Sequence, residues 1–216
     1  MKTIIFDMDG VIFDSERVIF DEWKELAKKY GFENLEIPYF QCIGVNAART
    51  REIMLDFYGQ DFPYDDYCKE QSRRYHEKYD GGRLPLKKGV EELLQYLKKE
   101  GFFVAIASST RHTLVEQQII DAGLRPYFDR IIGGDMVTKS KPNPEIFQKA
   151  LEGLEAIPGE TIVIEDSFNG IRAAFNAGMI PVMVPDMIAP DDEMREKAEV
   201  ILNNLLEVKE YLEKQM

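Results

Sequence analysis

The chain has 216 residues, 44% of them hydrophobic, enough for one large domain or a core domain with a sizeable insertion. Its 39 acidic and 27 basic residues leave a formal charge of −12, which argues against a nucleic-acid backbone or an anionic membrane surface as partner while still allowing a local pocket for a small anion. No apolar run approaches the ~20 residues of a membrane span, and the four uncharged residues Thr3–Phe6 before Asp7 are too few for a signal peptide.

The first predicted strand is "TIIF", Thr3–Phe6. It is a continuous apolar run rather than an alternating one, as suits a strand buried on both faces of a parallel sheet. It ends abruptly in Asp7 and Asp9, followed by Gly10. Residues 15–81 then carry helical pattern and no convincing strand. "SERVIFDEWKELAKKYG" predicts one amphipathic helix with Asp14 or Ser15 as N-cap, "NAARTREIMLDFYG" a second, and "DDYCKEQSRRYHEKYDGG" a third, polar one. About 95 residues separate the first two strands, where a crossover needs only a dozen or more, so this stretch reads as a small helical bundle inserted directly after the paired aspartates. Its two cysteines, Cys42 and Cys68, make no CxxC pair and read as reduced packing residues of a cytoplasmic protein.

Strand and helix alternate regularly after that. "GVEELLQYLKKEG" predicts a helix ending on Gly101. "FFVAIAS" (Phe102–Ser108) is the second strand, "TLVEQQIIDAG" a helix ending on Gly123, and "RIIG" (Arg130–Gly133) the third strand. "NPEIFQKALEGL" starts a helix with Asn143 as N-cap and Pro144 in the first turn. "TIVIED" (Thr161–Asp166) and "PVMVP" (Pro181–Pro185) complete the strands. The alternation predicts the α/β class, with a Rossmann-like open parallel sheet built from residues 1–14 and 82–216.

Ligands of such sheets bind beyond the carboxyl ends of the strands, and those ends are polar here. The first delivers Asp7 and Asp9, the second Ser108, Ser109 and Thr110, the loop after the third Lys139 and Lys141, and the fourth Glu165, Asp166 and Ser167. Side chains two apart on a strand lie roughly 6–7 Å apart on one side. At an effective dielectric of ~20, two carboxylates at that distance repel by about 2.5 kcal/mol. A hard divalent cation, Mg²⁺, resolves the repulsion among Asp7, Asp9, Glu165 and Asp166, because it takes oxygen ligands and needs few carboxylates when phosphate helps. Pro142 and Pro144 stiffen the backbone after Lys141, whose ammonium is placed to neutralise either an aspartate or a bound phosphate. Thr110 is expected to cap the next helix, and Lys139 to lie on the surface. The two histidines, His76 and His112, lack metal-ligand spacing, and no GxSxG, GxGxxG or GxxxxGK[ST] occurs.

Four stretches in order, "DMDGV" at Asp7–Val11, "IASST" around Ser108, "KPNPEIF" from Lys141 and "EDSFNG" at Glu165–Gly170, resemble the haloacid dehalogenase-like hydrolase superfamily, in its phosphatase and phosphomutase branch. The resemblance implies that residues 15–81 are a helical cap domain, that Asp7 is the nucleophile and Asp9 the general acid/base, and that Asp7, Asp9, Glu165 and Asp166 bind Mg²⁺. Ser108, Ser109 and Lys141 would hold the phosphoryl group. Ser15 and Arg49 are the expected cap contacts to substrate, with Glu16, Arg51 and Arg73 further cap candidates. An acid/base at position 9 favours phosphoryl transfer over dehalogenation.

Mutases of the β-phosphoglucomutase type carry a histidine near position 19, where this chain reads "RVIF", and basic cap-loop residues where Ile43 and Ala47 stand. A monomeric phosphatase of a small phosphorylated metabolite, a sugar phosphate, is therefore expected, with a sugar-phosphate mutase as the alternative. A phospho-acceptor signalling domain would need neither the insertion nor the acid/base, and a silent binding protein would have lost a motif residue.

Overall fold

The computed structural model describes residues 2–43 and 47–215. Among them, six strands form one parallel sheet: β1 (Thr3–Phe6), β2 (Phe103–Ala107), β3 (Arg130–Ile132), β4 (Thr161–Glu165), β5 (Ile180–Met183) and β6 (Val200–Ile201). Their spatial order is β3-β2-β1-β4-β5-β6, so the chain winds outward from β1 in both directions, and the expected open α/β core is present. β6 was not predicted, because two half-buried residues at a sheet edge make no apolar run.

Between β1 and β2 lie α1 (Ser15–Tyr30), α2 (Glu36–Cys42), α3 (Ala47–Tyr58) and α4 (Tyr64–Tyr79). They bury a core of their own, in which Trp23, Leu26, Tyr39, Met54, Phe62 and Tyr67 meet. Trp23 stands edge-on to Tyr67 with ring centroids 5.1 Å apart, a favourable arrangement beyond simple burial. The short α2 was not predicted; Pro38 in its first turns hides the helical pattern. Asn46, the predicted first residue of the second insertion helix, lies outside the described residues. The chain leaves the core at Phe13–Asp14 and returns at Pro85–Lys87, where the Asp14 N–H donates to the Pro85 carbonyl at 2.9 Å and the Lys87 N–H to that of Ile12 at 2.8 Å.

The remaining helices are α5 (Val90–Lys99), α6 (His112–Asp121), α7 (Glu145–Leu151), α8 (Phe168–Asn176), α9 (Asp192–Lys197) and α10 (Leu205–Gln215). Strand side chains alternate between faces. Ile4, Phe6 and Ile106 therefore pack with Leu93 of α5, Val115 of α6 and Val208 of α10, whereas Ile5, Ala105 and Val163 pack with Phe147 of α7 and Ala173 of α8. Among the described residues no helix is long and apolar enough to cross a membrane.

One predicted cap holds in position and one is corrected. Asp14 occupies the N-cap position of α1, as expected, but makes no side-chain cap bond; its carboxylate lies 3.3 Å from Lys87 Nζ instead, because the strap at Pro85–Lys87 brings that lysine alongside. α7 begins one residue late, at Glu145, with Pro144 in the N-cap position, although the Asn143 Oδ1 still accepts the Glu145 N–H at 3.1 Å.

Candidate active site

The sheet reverses its winding at β1, and the crevice of such a sheet opens beyond the strands that flank the reversal. Register sets what stands there. Phe6 is level with Ile106 on one side and Ile164 on the other, so the next residues, Asp7, Ala107 and Glu165, form one row at the carboxyl edge. The Asp7 N–H continues the ladder onto the Ile164 carbonyl at 2.9 Å.

Lys141 closes this row. Its Nζ lies 2.5 Å from Asp7 Oδ1, 2.7 Å from Glu165 Oε1 and 3.1 Å from the Ala107 carbonyl, so all three ammonium hydrogens are committed. Only 6% of its side chain is exposed. The structure thus shows carboxylates, one of the two kinds of partner open to it from sequence, at its Nζ. Burial desolvates the ammonium, but Asp7 and Glu165 outweigh that and hold it protonated above the ordinary lysine range. Asp7 itself is pushed up to about 7, chiefly by burial, with Lys141 pulling it down and Glu165 and Asp9 pushing it up.

Asp7, Glu165 and Asp166 each place an oxygen within 4.8 Å of the others. Burial, then the charges of Glu165 and Asp7, lift Asp166 well above the usual carboxylate range. Three carboxylates facing one lysine leave an excess of negative charge, and an all-oxygen donor set of this kind fits a hard divalent cation. Glu165 differs from the other two, since Oε1 accepts from Lys141 and Oε2 accepts the Ser167 N–H at 2.7 Å.

Asp9 has different partners. Ser15 Oγ donates to its Oδ1 and Thr110 Oγ1 to its Oδ2, both at 2.9 Å. The two hydroxyls come from the first turn of α1 and from the loop after β2, so insertion and core both hold the carboxylate. Ser15, expected on the substrate, is 1% exposed and turned onto Asp9. Thr110, expected as a helix cap, is likewise a partner of Asp9, and Arg111 takes the cap position of α6.

Two glycines permit this crowding. Gly10 has φ +79°, and a Cβ there would stand 2.4 Å from Asp166 Oδ2, so the residue after Asp9 lets the backbone pass close to the carboxylate cluster. A Cβ on Gly170 of α8 would lie 1.7 Å from Glu165 Oε1. Alanine in a helix normally gains about 1 kcal/mol over glycine. Gly170→Ala is nevertheless expected to destabilise by about 2 kcal/mol or more, because the buried carboxylate must leave Lys141. A melting temperature unchanged or raised in thermal denaturation would contradict this close approach.

The remaining predicted residues separate clearly. Ser108 is 1% exposed and its Oγ accepts the Thr110 N–H at 3.0 Å, while Ser109 beside it is exposed. The loop they share is buttressed by Gly134 N–H on the Thr110 carbonyl at 2.8 Å and by Asp135 Oδ1 on the His112 N–H at 2.7 Å. Lys139 is exposed, as expected. Arg49 is not drawn into the row, since its guanidinium pairs with Glu52 at 2.8 Å one helical turn away, with more than half of its side chain exposed.

Two further acidic residues enter the neighbourhood, Glu16 as an expected cap candidate and Asp186 without a sequence signal. Glu16 of α1 and Asp186, in the loop after β5, line one cavity with Ile43, Asp166, Phe168 and Arg172. Burial, then Asp9 and Asp186, push Glu16 up to about 7. Asp186 lies three residues beyond β5, where the strand-end rule could have found it, but nothing in the sequence aims α1 at that strand.

Comparison with known proteins agrees with this layout. A family model described as haloacid dehalogenase-like hydrolase matches residues 4–184. The phosphorylated carbohydrates phosphatase of Thermotoga maritima is 32% identical to this chain, over 83% of it and 82% of the relative. The β-phosphoglucomutase of Bacillus subtilis is 30% identical over 96% and 95% of the two chains. Among solved structures, a Thermotoga maritima protein provisionally assigned as a β-phosphoglucomutase superposes with a TM-score of 0.80 at 28% identity, covering all of both chains. CbbY of Rhodobacter sphaeroides bound to phosphate superposes with a TM-score of 0.72 at 27% identity, over 96% of each chain.

Proposed function

The chain belongs to the haloacid dehalogenase-like hydrolase family, and on that footing we propose that it is a magnesium-dependent phosphatase of a small sugar phosphate. Residues 15–81 are its cap, and Asp7 carries the phosphoryl group between two half-reactions. The observation that carries this reading is the unlike setting of two chemically identical aspartates. Lys141 can only donate, so its contact favours the anionic form of Asp7 against the burial that raises it, and the anion is the form a nucleophile requires. Ser15 and Thr110 are hydroxyls, able to turn from donor to acceptor, so Asp9 can gain and lose a proton without leaving a buried group unpaired.

Asp7 attacks phosphorus while Asp9 protonates the departing alkoxide; Asp9 then takes a proton from the water that cleaves the acyl phosphate. Ser108 and the main-chain N–H groups of Met8 and Asp9 would orient the phosphoryl oxygens, and positioning of this kind supplies much of the acceleration of phosphoryl transfer. Asp7, Asp166 and the Asp9 carbonyl would hold Mg²⁺, with Glu165 behind them bracing Lys141. When bound, the ion supplies positive charge to the transferring phosphoryl group.

The test is hydrolysis of 4-nitrophenyl phosphate by the purified protein. Turnover should require Mg²⁺ and stop with chelator; turnover indifferent to chelator, or none at all, overturns the reading. Mg²⁺ at ~100 times its dissociation constant should add about 2.7 kcal/mol of stability. Asp166→Asn should remove most of the corresponding thermal shift.

The likeness to a β-phosphoglucomutase favours a mutase as the second reading. Residue 19 is an isoleucine packed against the aromatic core of the insertion, and Arg49 and Arg51 are paired with Glu52 and Asp65. These contacts leave the distal phosphate of a bisphosphate poorly served. Efficient conversion of β-glucose 1-phosphate to glucose 6-phosphate with a bisphosphate activator would decide for the mutase.

A further inference from the structure

The cavity beside the aspartates measures about 240 Å³ and lies between insertion and sheet, with Glu16 and Ile43 on one wall and Asp166, Phe168, Arg172 and Asp186 on the other. Because Asp166 belongs both to this wall and to the carboxylate cluster, whatever fills the cavity adjoins the reacting atoms. Resting on the phosphatase reading above, we propose that Glu16 and Asp186 are specificity-determining residues that select a neutral, hydroxyl-rich leaving group and reject one that bears a second anionic group.

Charge is the first ground. Arg172 is the one cation on the described walls, and its guanidinium is engaged by Glu193 at 2.5 and 2.8 Å and by Asn169 Oδ1 at 3.1 Å. Lys87 holds Asp186 Oδ1 at 2.6 Å and is shared with Asp14 at 3.3 Å, which Arg17 also approaches at 3.7 Å, so Lys87 is already engaged and does not line the cavity. A carboxylate or second phosphate on the leaving group would therefore meet the carboxyl groups of Glu16 and Asp186 with Arg172, the one cation on the described walls, already engaged, a cost that acts as discrimination against that ligand.

Hydrogen bonding is the second, independent ground. The Asp186 side chain is only 3% exposed, and its Oδ2 is buried without a hydrogen-bond partner. Buried acceptors are normally paired, and one left without a donor is costly. A sugar hydroxyl offers such a donor, whereas a carboxylate offers none. The apolar Ile43 and Phe168 beside these acceptors suit the carbon face of the same ligand.

The experiment compares kcat/KM of the Mg²⁺-loaded enzyme for glucose 6-phosphate and 6-phosphogluconate, which share their chain length and phosphate position but differ in a carboxylate. The wild type should prefer glucose 6-phosphate by about tenfold or more, and Glu16→Gln and Asp186→Asn should each narrow that ratio severalfold. A wild-type ratio near one, or a ratio unmoved in both variants, overturns the proposal. The wild-type ratio stands even where a variant fails to fold. Hydrolysis of 4-nitrophenyl phosphate separates the two levels. If the wild type cleaves it but not glucose 6-phosphate, or treats both sugar compounds alike, the selection fails alone; if it cleaves none, the phosphatase reading fails.

Discussion

Asp7→Asn should reduce kcat for 4-nitrophenyl phosphate by at least ~10⁴-fold, the scale seen when a nucleophile is removed from a catalytic unit. The amide has the shape of the carboxylate, and its oxygen can still accept from Lys141 Nζ, which lies 2.5 Å from Oδ1 in the wild type. The fold should therefore survive, and a near-native melting curve checks that the loss is chemical. Asp9→Asn provides the contrast. 4-Nitrophenolate is a good leaving group and departs without a proton, so this variant should lose more on glucose 6-phosphate than on the aryl ester. Wild-type turnover by Asp7→Asn would remove the nucleophile assignment, and equal losses of Asp9→Asn on both substrates in single-turnover formation of the phosphoenzyme, before the shared hydrolysis step, would remove the acid.

Lys141→Met should be the most destabilising single change near the site, by about 3–5 kcal/mol, the range found when one partner of a buried ion pair is deleted. The reason lies in what remains: Asp7 and Glu165, both essentially buried, lose their common cation, and the Ala107 carbonyl loses a donor. The variant should also respond to pH differently from the wild type. Removing Lys141 takes away the main influence that lowers the Asp7 pKa, which already stands at about 7. A carboxyl whose folded pKa lies above its unfolded one binds protons more tightly when folded, so stability rises as pH falls through the folded value towards the unfolded one. The variant should thus recover more stability than the wild type on acidification from pH 8 to pH 5, measured by thermal denaturation. Loss of less than about 1 kcal/mol with no added pH dependence would mean that Lys141 is not a structural counter-charge.

These effects concentrate where four chain segments meet, and each segment was legible separately. A strand that is apolar on both faces and then ends in DxD announces its own burial and its polar terminus, because residue type and periodicity are local properties. The same holds for the stiffened loop at Lys141 and for the pair Glu165–Asp166. Open parallel sheets bind ligands at one edge, so strand order in the sequence was enough to collect these residues at one site. The unbroken helical stretch after the first strand likewise declared an insertion.

What the sequence by itself determined is therefore the class of fold, the edge that carries chemistry and the inventory of charges there. What only the tertiary structure decided is how those charges are paired. Lys141 could have met an aspartate or a phosphate until the register of β1 and β4 brought Asp7 and Glu165 level around it. Ser15 and Thr110 read as a substrate contact and a helix cap, and they became the two partners of Asp9 because α1 and the β2 loop converge on it from opposite sides. Asp186 and Glu16 share a cavity although they stand 170 positions apart in the chain. Such pairings depend on contacts between segments far apart in the chain, and no local pattern encodes their distance or direction.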